Sequence, residues 1–265
     1  MTEPRFHIPR TGPLAEYISL IWEVNAPAGV RETILPRGIV EIIFQFDEPL
    51  EGYLPHRDEA LVIPRCFIQG FNTHPIRGYY PGRQHLMGLQ LQAHRVRELL
   101  GYWPSEFLDS ATDLTLVQPR FRALWERLAE APHFDARLAI LQADLPVLPA
   151  TDSPRTAELA RLLTEGDVSS FQSVDTLSRE VCYSTRQLGR LSKQLFGLPA
   201  ETLTGYKKFV ESVRALHRPH RSLAGVAYEA GFCDQAHWCR VFKSYSGMTP
   251  LEYSRRRSPL PFHLF

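Results

Sequence analysis

At 265 residues, with 30 Lys and Arg against 29 Asp and Glu and 44% hydrophobic residues, the chain has the size and balance of two globular domains rather than a charged, disordered tail. No apolar stretch reaches the roughly 18 residues that a spanning helix needs, so no membrane segment is expected. No basic region with an apolar run behind it opens the chain, so no signal peptide is expected either.

The N-terminal half reads as short strands. VRETILP, GIVEIIFQF, ALVIP, CFIQGF, PIRGYY and QHLMGLQLQ are rich in Ile, Val, Phe and Tyr, and Gly, Pro, Asn and Asp separate them. That rhythm predicts a small antiparallel sandwich or barrel. From Ala93 the pattern turns helical: AHRVRELLG, then PRFRALWERLAEA, then FDARLAILQADL. Phe121, Leu124, Trp125 and Leu128 share one face of the second, and Leu138, Leu141 and Leu145 one face of the third. Such stripes cover a sheet or pair two subunits. The prolines of PVLPATDSP (146–154) interrupt helix and strand alike and mark a linker, giving domains 1–148 and 149–265. Charge divides the same way. Residues from 151 on hold 16 basic and 11 acidic side chains, the first 150 hold 14 and 18, and a cationic C-terminal part favours phosphate contact.

Cys66, Cys182, Cys233 and Cys239 are scattered, with no C-x-x-C, which argues against a disulfide framework or zinc site and suits a reducing cytoplasm. A cupin-type metal site wants a close His-x-His pair with a Glu and a further His, whereas His56, His74, His85 and His94 stand singly. No nucleophile–base spacing is evident, so neither an enzyme nor a cofactor is expected; the alternatives for this half are a metal-dependent enzyme or a ligand-independent interaction module. A ligand pocket in the barrel would draw on Trp22, Glu41, Phe44, Tyr79 and Tyr80.

The last third contains a repeat. Residues 184–197, STRQLGRLSKQLFG, align without a gap on residues 234–247, DQAHWCRVFKSYSG. Leu188 falls on Trp238, Arg190 on Arg240, Leu191 on Val241, Lys193 on Lys243 and Leu195 on Tyr245. Each copy has an N-cap residue in front (Ser184, Asp234), a terminating glycine behind (Gly197, Gly247), and a short helix upstream. Helix, tight turn, capped helix is the form of a helix-turn-helix. On a helical wheel Trp238, Val241, Phe242 and Tyr245 face in, as do Leu188, Leu191 and Leu195. The opposite faces carry Arg186, Arg190 and Lys193 in the first copy, and Arg240 and Lys243 in the second. Arg in a major groove bonds guanine through two acceptors, and Lys and Arg neutralise phosphates. Two such units predict one protein reading two stretches of duplex DNA.

GFCDQAHWCRVFKSYSGMTPLEYSR resembles the second helix-turn-helix of AraC/XylS-type bacterial transcriptional regulators. The resemblance rests on Gly231-Phe232, on Trp238-Cys239-Arg240-Val241-Phe242-Lys243, and on Gly247, Pro250, Tyr253 and Arg255, with Ser254 where many members place the Arg. It covers about residues 155–257. The N-terminal half shows a fainter likeness: Leu14-x-x-Tyr17-Ile18, then Leu35-Pro36-x-Gly38-x-x-Glu41-Ile42, then Pro81-Gly82. The resemblance implies an α+β chain: a β-rich sensing or dimerisation domain with covering helices, followed by an all-α double helix-turn-helix domain. Pro199–Leu216 would be the joining helix, about 27 Å long at 1.5 Å per residue. Carried over by position, Arg186, Gly189, Arg190 and Lys193 face DNA in the first unit, and Gln235, Ala236, His237, Cys239, Arg240 and Lys243 in the second. The implied partners are promoter or operator DNA, with RNA polymerase, a small-molecule effector and a second copy of the chain beside it, and no membrane. Two positions depart from the pattern. Ser192 stands where an apolar aromatic is usual, and Cys182 where a turn glycine is usual; a non-Gly residue in the left-handed region costs on the order of 1 kcal/mol.

Overall fold

The computed structural model describes residues 3–53, 61–145, 162, 173–219 and 222–265. The linker 146–154, the expected boundary at 148/149 and His56 lie outside the described residues.

The N-terminal domain is built on two antiparallel sheets. The first takes β1 (Arg5–His7), β2 (Ile18–Ala26), β9 (Gln84–Leu91), β4 (Val40–Gln45), β7 (Cys66–Gln69) and β10 (Ala111–Asp113), in that spatial order. The second takes β11 (His263–Leu264), β3 (Arg31–Ile34), β8 (Ile76–Tyr79), β5 (Glu51–Tyr53) and β6 (Leu61–Val62). The β-rich expectation holds. That expectation did not include the long strand β2, ISLIWEVNA, which starts directly after Tyr17 with no turn residue at its N-terminal end, although Pro27 closes it. β4 is buried along its whole length and so has two apolar neighbours. Alternation sends Val40, Ile42 and Phe44 into the large core beneath the helices, and Ile43 to a smaller cluster with Ile63, Phe67 and Trp22 on the other face. Gly88 sits opposite Trp22 in the β2–β9 ladder, and a Cβ there would collide with the indole.

Helices α1 (Pro13–Tyr17), α2 (Val96–Leu100), α3 (Leu114–Val117), α4 (Arg120–Glu130) and α5 (Phe134–Asp144) complete the domain. On α4, Phe121, Leu124 and Leu128 are buried, and Trp125 packs against the same core while its indole N–H donates to the Gln45 carbonyl at 2.8 Å. On α5, Leu141 is buried, and so is Leu145 just beyond the helix. These stripes are therefore spent inside the chain as cover for the sheet. Arg137, buried on α5, reaches Glu23 of β2 at 3.3 Å and fixes the angle of that cover.

The C-terminal domain is helical: α6 (Val174–Glu180), α7 (Thr185–Phe196), α8 (Ala200–Leu216), α9 (Leu223–Glu229), α10 (Gln235–Ser246) and α11 (Pro250–Arg256). Its core is aromatic around α8 and α10. Phe209 meets Phe242 and Tyr245, and Phe242 also meets Trp238 and Tyr253, at centroid separations of 5.2 to 6.1 Å. One feature was absent from the sequence reading. After α11 the chain returns to the N-terminal domain, where β11 pairs antiparallel with β3, His263 opposite Ile34 and Leu264 opposite Thr33.

Candidate nucleic-acid interface

The two helical pairs are built alike. Ser173 caps α6 and Ser222 caps α9, each hydroxyl accepting a backbone N–H three residues on. Each short helix then ends in the same left-handed turn. Cys182 (φ 53) and Gly231 (φ 77) occupy equivalent places. The Tyr183 N–H donates to the Ser178 carbonyl at 3.1 Å, and the Phe232 N–H to the Ala227 carbonyl at 3.0 Å. This six-to-one bond closes a helix with a residue in the left-handed region. The second turn is one residue longer, so the first helices are offset by 49 positions and the second helices by 50. Cys182 thus adopts the conformation that glycine takes in the other copy, as the sequence implied.

The second helix of each pair is capped as expected. The Ser184 hydroxyl accepts the Gln187 N–H while Gln187 reaches back to the Ser184 N–H, a complete capping box. The Asp234 carboxylate accepts the His237 N–H at 2.7 Å. Gly197 (φ 72) and Gly247 (φ 73) end the helices. Leu188 and Leu195 are fully buried in α7, as are Trp238 and Phe242 in α10, and Val241 and Tyr245 are half-buried. Burial pushes the Tyr245 hydroxyl up to about 12. Ser192 is fully buried and satisfied, its hydroxyl donating to the Leu198 carbonyl at 2.6 Å. A small polar residue fits there because the turn after α7 offers it an acceptor.

With the apolar side turned inward, the opposite side faces solvent. Arg186, Arg190 and Lys193 are exposed on α7, with Gly189 half-buried among them. Gln235, Ala236, His237, Arg240 and Lys243 are exposed on α10, with Cys239 half-buried. The ten expected DNA-facing residues thus fall on two solvent-facing stripes, five of them cationic. The Cβ of a side chain placed at Gly189 would meet nothing within 4 Å. The His237 ring stands edge-on to Phe232 at 5.5 Å, which fixes its place at the start of α10.

The five residues expected to line a pocket are split by the fold. The Trp22 indole donates to Glu41 at 3.1 Å, and Arg37 pairs with the same carboxylate. Tyr80 donates to Glu32 on the other sheet, and Glu32 also pairs with His263. Burial would raise the Glu32 carboxyl, but the His263 hydrogen bond and charge and the Tyr80 hydroxyl outweigh it and hold it below the usual carboxylate range. Phe44 points the other way, into the main core, and Tyr79 lies under the Arg31 guanidinium. None of the five lines the cavity of about 210 Å³ that lies between the domains. That cavity is walled by Arg37, Val40, Phe71 and His94 from one side and by Phe196, Leu203, Lys207, Val210 and Arg214 from the other. Beside it Tyr206 bridges the domains, its hydroxyl accepting the Gly38 N–H at 2.9 Å and donating to the Asn72 carbonyl at 2.8 Å. Sequence reasoning missed these residues because Val40, Leu203 and Val210 read as ordinary core positions, and nothing local in the sequence brings β4 against α8. Among the described residues no three His, Cys, Asp or Glu side chains are grouped to hold a metal, and no helix is long and apolar enough to cross a membrane.

Comparison with known proteins points the same way as the paired helices. A helix-turn-helix domain model matches residues 177–256, the paired helices just described. The matched span is also the part of the chain that resembles AraC/XylS-type regulators. Over 117 residues it is 25% identical to the arabinose operon regulatory protein of Salmonella typhimurium, covering 44% of this chain and 41% of that one. Over 92 residues it is 25% identical to the probable transcription factor PqrA of Proteus vulgaris, covering 35% of this chain and 75% of that one. The chain thus spans less than half the length of the arabinose regulator. Residues 7–113 match a domain of unknown function, DUF6597. The apo form of a ToxT variant from Vibrio cholerae shares the fold with a TM-score of 0.50 at 11% identity, covering 94% of this chain and 99% of that one. The helix-turn-helix match thus falls on α6 to α11.

Proposed function

We propose that this protein is a sequence-specific, DNA-binding transcriptional regulator whose α7 and α10 enter successive major grooves on one face of bent duplex DNA. The reading is carried by one observation: two equivalent capped helices, each with its apolar side buried and a cationic stripe left to solvent. Arg186, Arg190, Lys193, Arg240 and Lys243 are the five cations of those stripes. If the four besides Arg240 each neutralise one phosphate, the logarithm of affinity falls with the logarithm of salt with a slope of about −3.6. Raising salt fourfold then weakens binding roughly 150-fold. Titration of the full chain on a duplex selected from random sequence, at several salt concentrations, tests this; a slope near zero with the protein folded removes the proposal.

The N-terminal domain, in this reading, senses a small ligand, pairs two subunits, or does both. The cavity between β4 and α8 is the place for a ligand, because its two walls belong to different domains and an occupant changes how they fit. Such a ligand acts only if it prefers one arrangement of the domains. A compound that raises the melting temperature of the full chain must then shift its DNA affinity, and DNA must shift the compound's affinity by the same factor.

A further inference from the structure

We propose that residues 258–265 form an intramolecular strap that couples the second helix-turn-helix to the N-terminal domain by adding a strand to its second sheet. The inference rests on the DNA-binding reading for its consequence, and on four independent contacts for its existence.

The strap leaves α11 and lies along the free edge of β3. The Leu35 N–H donates to the Phe262 carbonyl at 2.8 Å, and the β11–β3 ladder continues from there through His263 and Leu264. Phe262 and Leu264 are buried beneath it. The His263 imidazole pairs with Glu32, which also accepts the Tyr80 hydroxyl, so the clasp closes on a carboxylate already held from the other side. At its root the strap is tied to the reader. The Phe262 N–H donates to the Tyr253 hydroxyl of α11 at 3.2 Å, and that hydroxyl meets His217 at the end of α8 at 2.8 Å. Phe262 takes a φ of 70, a left-handed conformation that a bulky residue rarely adopts unless its surroundings impose it.

The strap meets the N-terminal domain at residues 32–35, whereas Tyr206 meets it at Gly38 and Asn72. The reader is therefore anchored twice, by Phe196 against Phe71 and by Tyr206 near the first unit, and by the strap near the second. It does not cover the DNA face, since Arg240 and Lys243 are exposed while it is docked. Its effect is on coupling rather than on access: a change in the pose of α9 to α11 on DNA pulls on β3, and a change at β3 is felt at α11.

Hydrogen exchange on the full chain tests this, using wild type, a chain ending at Arg257, the milder His263→Ala, and a control Leu260→Ser whose side chain is half-exposed and outside the clasp. Without DNA, the peptide spanning residues 31–35 should exchange at least tenfold faster in the truncated chain and clearly faster in His263→Ala, while 40–45 in β4 and the control stay unchanged. Equal protection of 31–35 in wild type and truncated chain overturns the strap. With a 30-base-pair duplex at low salt, exchange over 31–35 should shift at least threefold in wild type and not at all in the truncated chain. Protection of α7 and α10 by the duplex with no change at 31–35 in wild type overturns the coupling. If the duplex protects no reader helix in any of the proteins, the DNA-binding reading fails and with it the coupling, while the DNA-free comparison still decides the strap.

Discussion

Replacing Cys182 by glycine should stabilise the protein, although it deletes a side chain. Cys182 sits at φ 53, where an L-residue crowds its own backbone at a cost of roughly 1–2 kcal/mol. Glycine removes that cost but gains freedom in the unfolded chain, which takes back about 0.4–1 kcal/mol. The thiol itself adds almost nothing, being exposed and 3.8 Å from the Arg179 carbonyl, the edge of contact for sulfur. The closing bonds of the turn, Cys182 N–H to Arg179 and Tyr183 N–H to Ser178, are backbone bonds and survive. The net gain is about 0.5–1 kcal/mol, a rise in melting temperature of about 1–4 °C for a chain of this length. Scanning calorimetry under reducing conditions should compare Cys182→Gly with Cys182→Ala. The alanine variant also lacks the thiol but keeps the strain, so it should melt with wild type. In the other turn Gly231→Ala imposes the same strain at φ 77 and should lower the melting temperature. If Cys182→Gly melts below wild type, or if alanine matches glycine, the turn is not strained at residue 182 and the argument fails.

The remaining predictions concern the reader and its seat. Arg240→Ala should relax preference at about one base position and cost roughly 1–3 kcal/mol, whereas Lys243→Ala should weaken all duplexes alike; an equal loss on every sequence for Arg240→Ala would make Arg240 a phosphate clamp. Tyr206→Phe should destabilise the full chain by about 1–3 kcal/mol, since it leaves the Gly38 N–H and the Asn72 carbonyl without their partner; an unchanged melting temperature refutes the bridge. Burial, and then the charge of Arg257, hold His217 below its ordinary 6.5. The unfolded chain therefore takes up this proton first as pH falls, so the contribution is complete above 6.5 and is lost as pH drops from there through the folded value. Melting curves of wild type and His217→Gln should diverge at pH 8 and converge toward pH 5, and a constant gap between them would show that His217 does not titrate in this way.

Much of the reader was legible because its determinants are local. An N-cap, a closing glycine and a wheel with one apolar side are set by residues within a dozen positions of each other, and Ser184, Asp234, Gly197 and Gly247 do in the structure what their types announce. Even the strain at Cys182 was visible, by comparison with the other copy. The barrel was legible as strands but not as a site. Glu41 and Phe44 lie on one strand three residues apart, so alternation puts them on opposite faces; the sequence shows that they part company, not which face a ligand could reach.

By itself, then, the sequence determined two helix-turn-helix units, their cationic faces and a strand-rich domain ahead of them, because short-range backbone and periodicity rules govern all three. Only the tertiary structure decided how the domains meet. Tyr206 reaches Gly38 across 168 positions and His263 reaches Glu32 across 231. Contacts at such separations leave no period, cap or spacing in the chain. They exist because ladder bonds and buried area reward one docking of two finished surfaces, and that reward belongs to the folded shapes rather than to any stretch of residues.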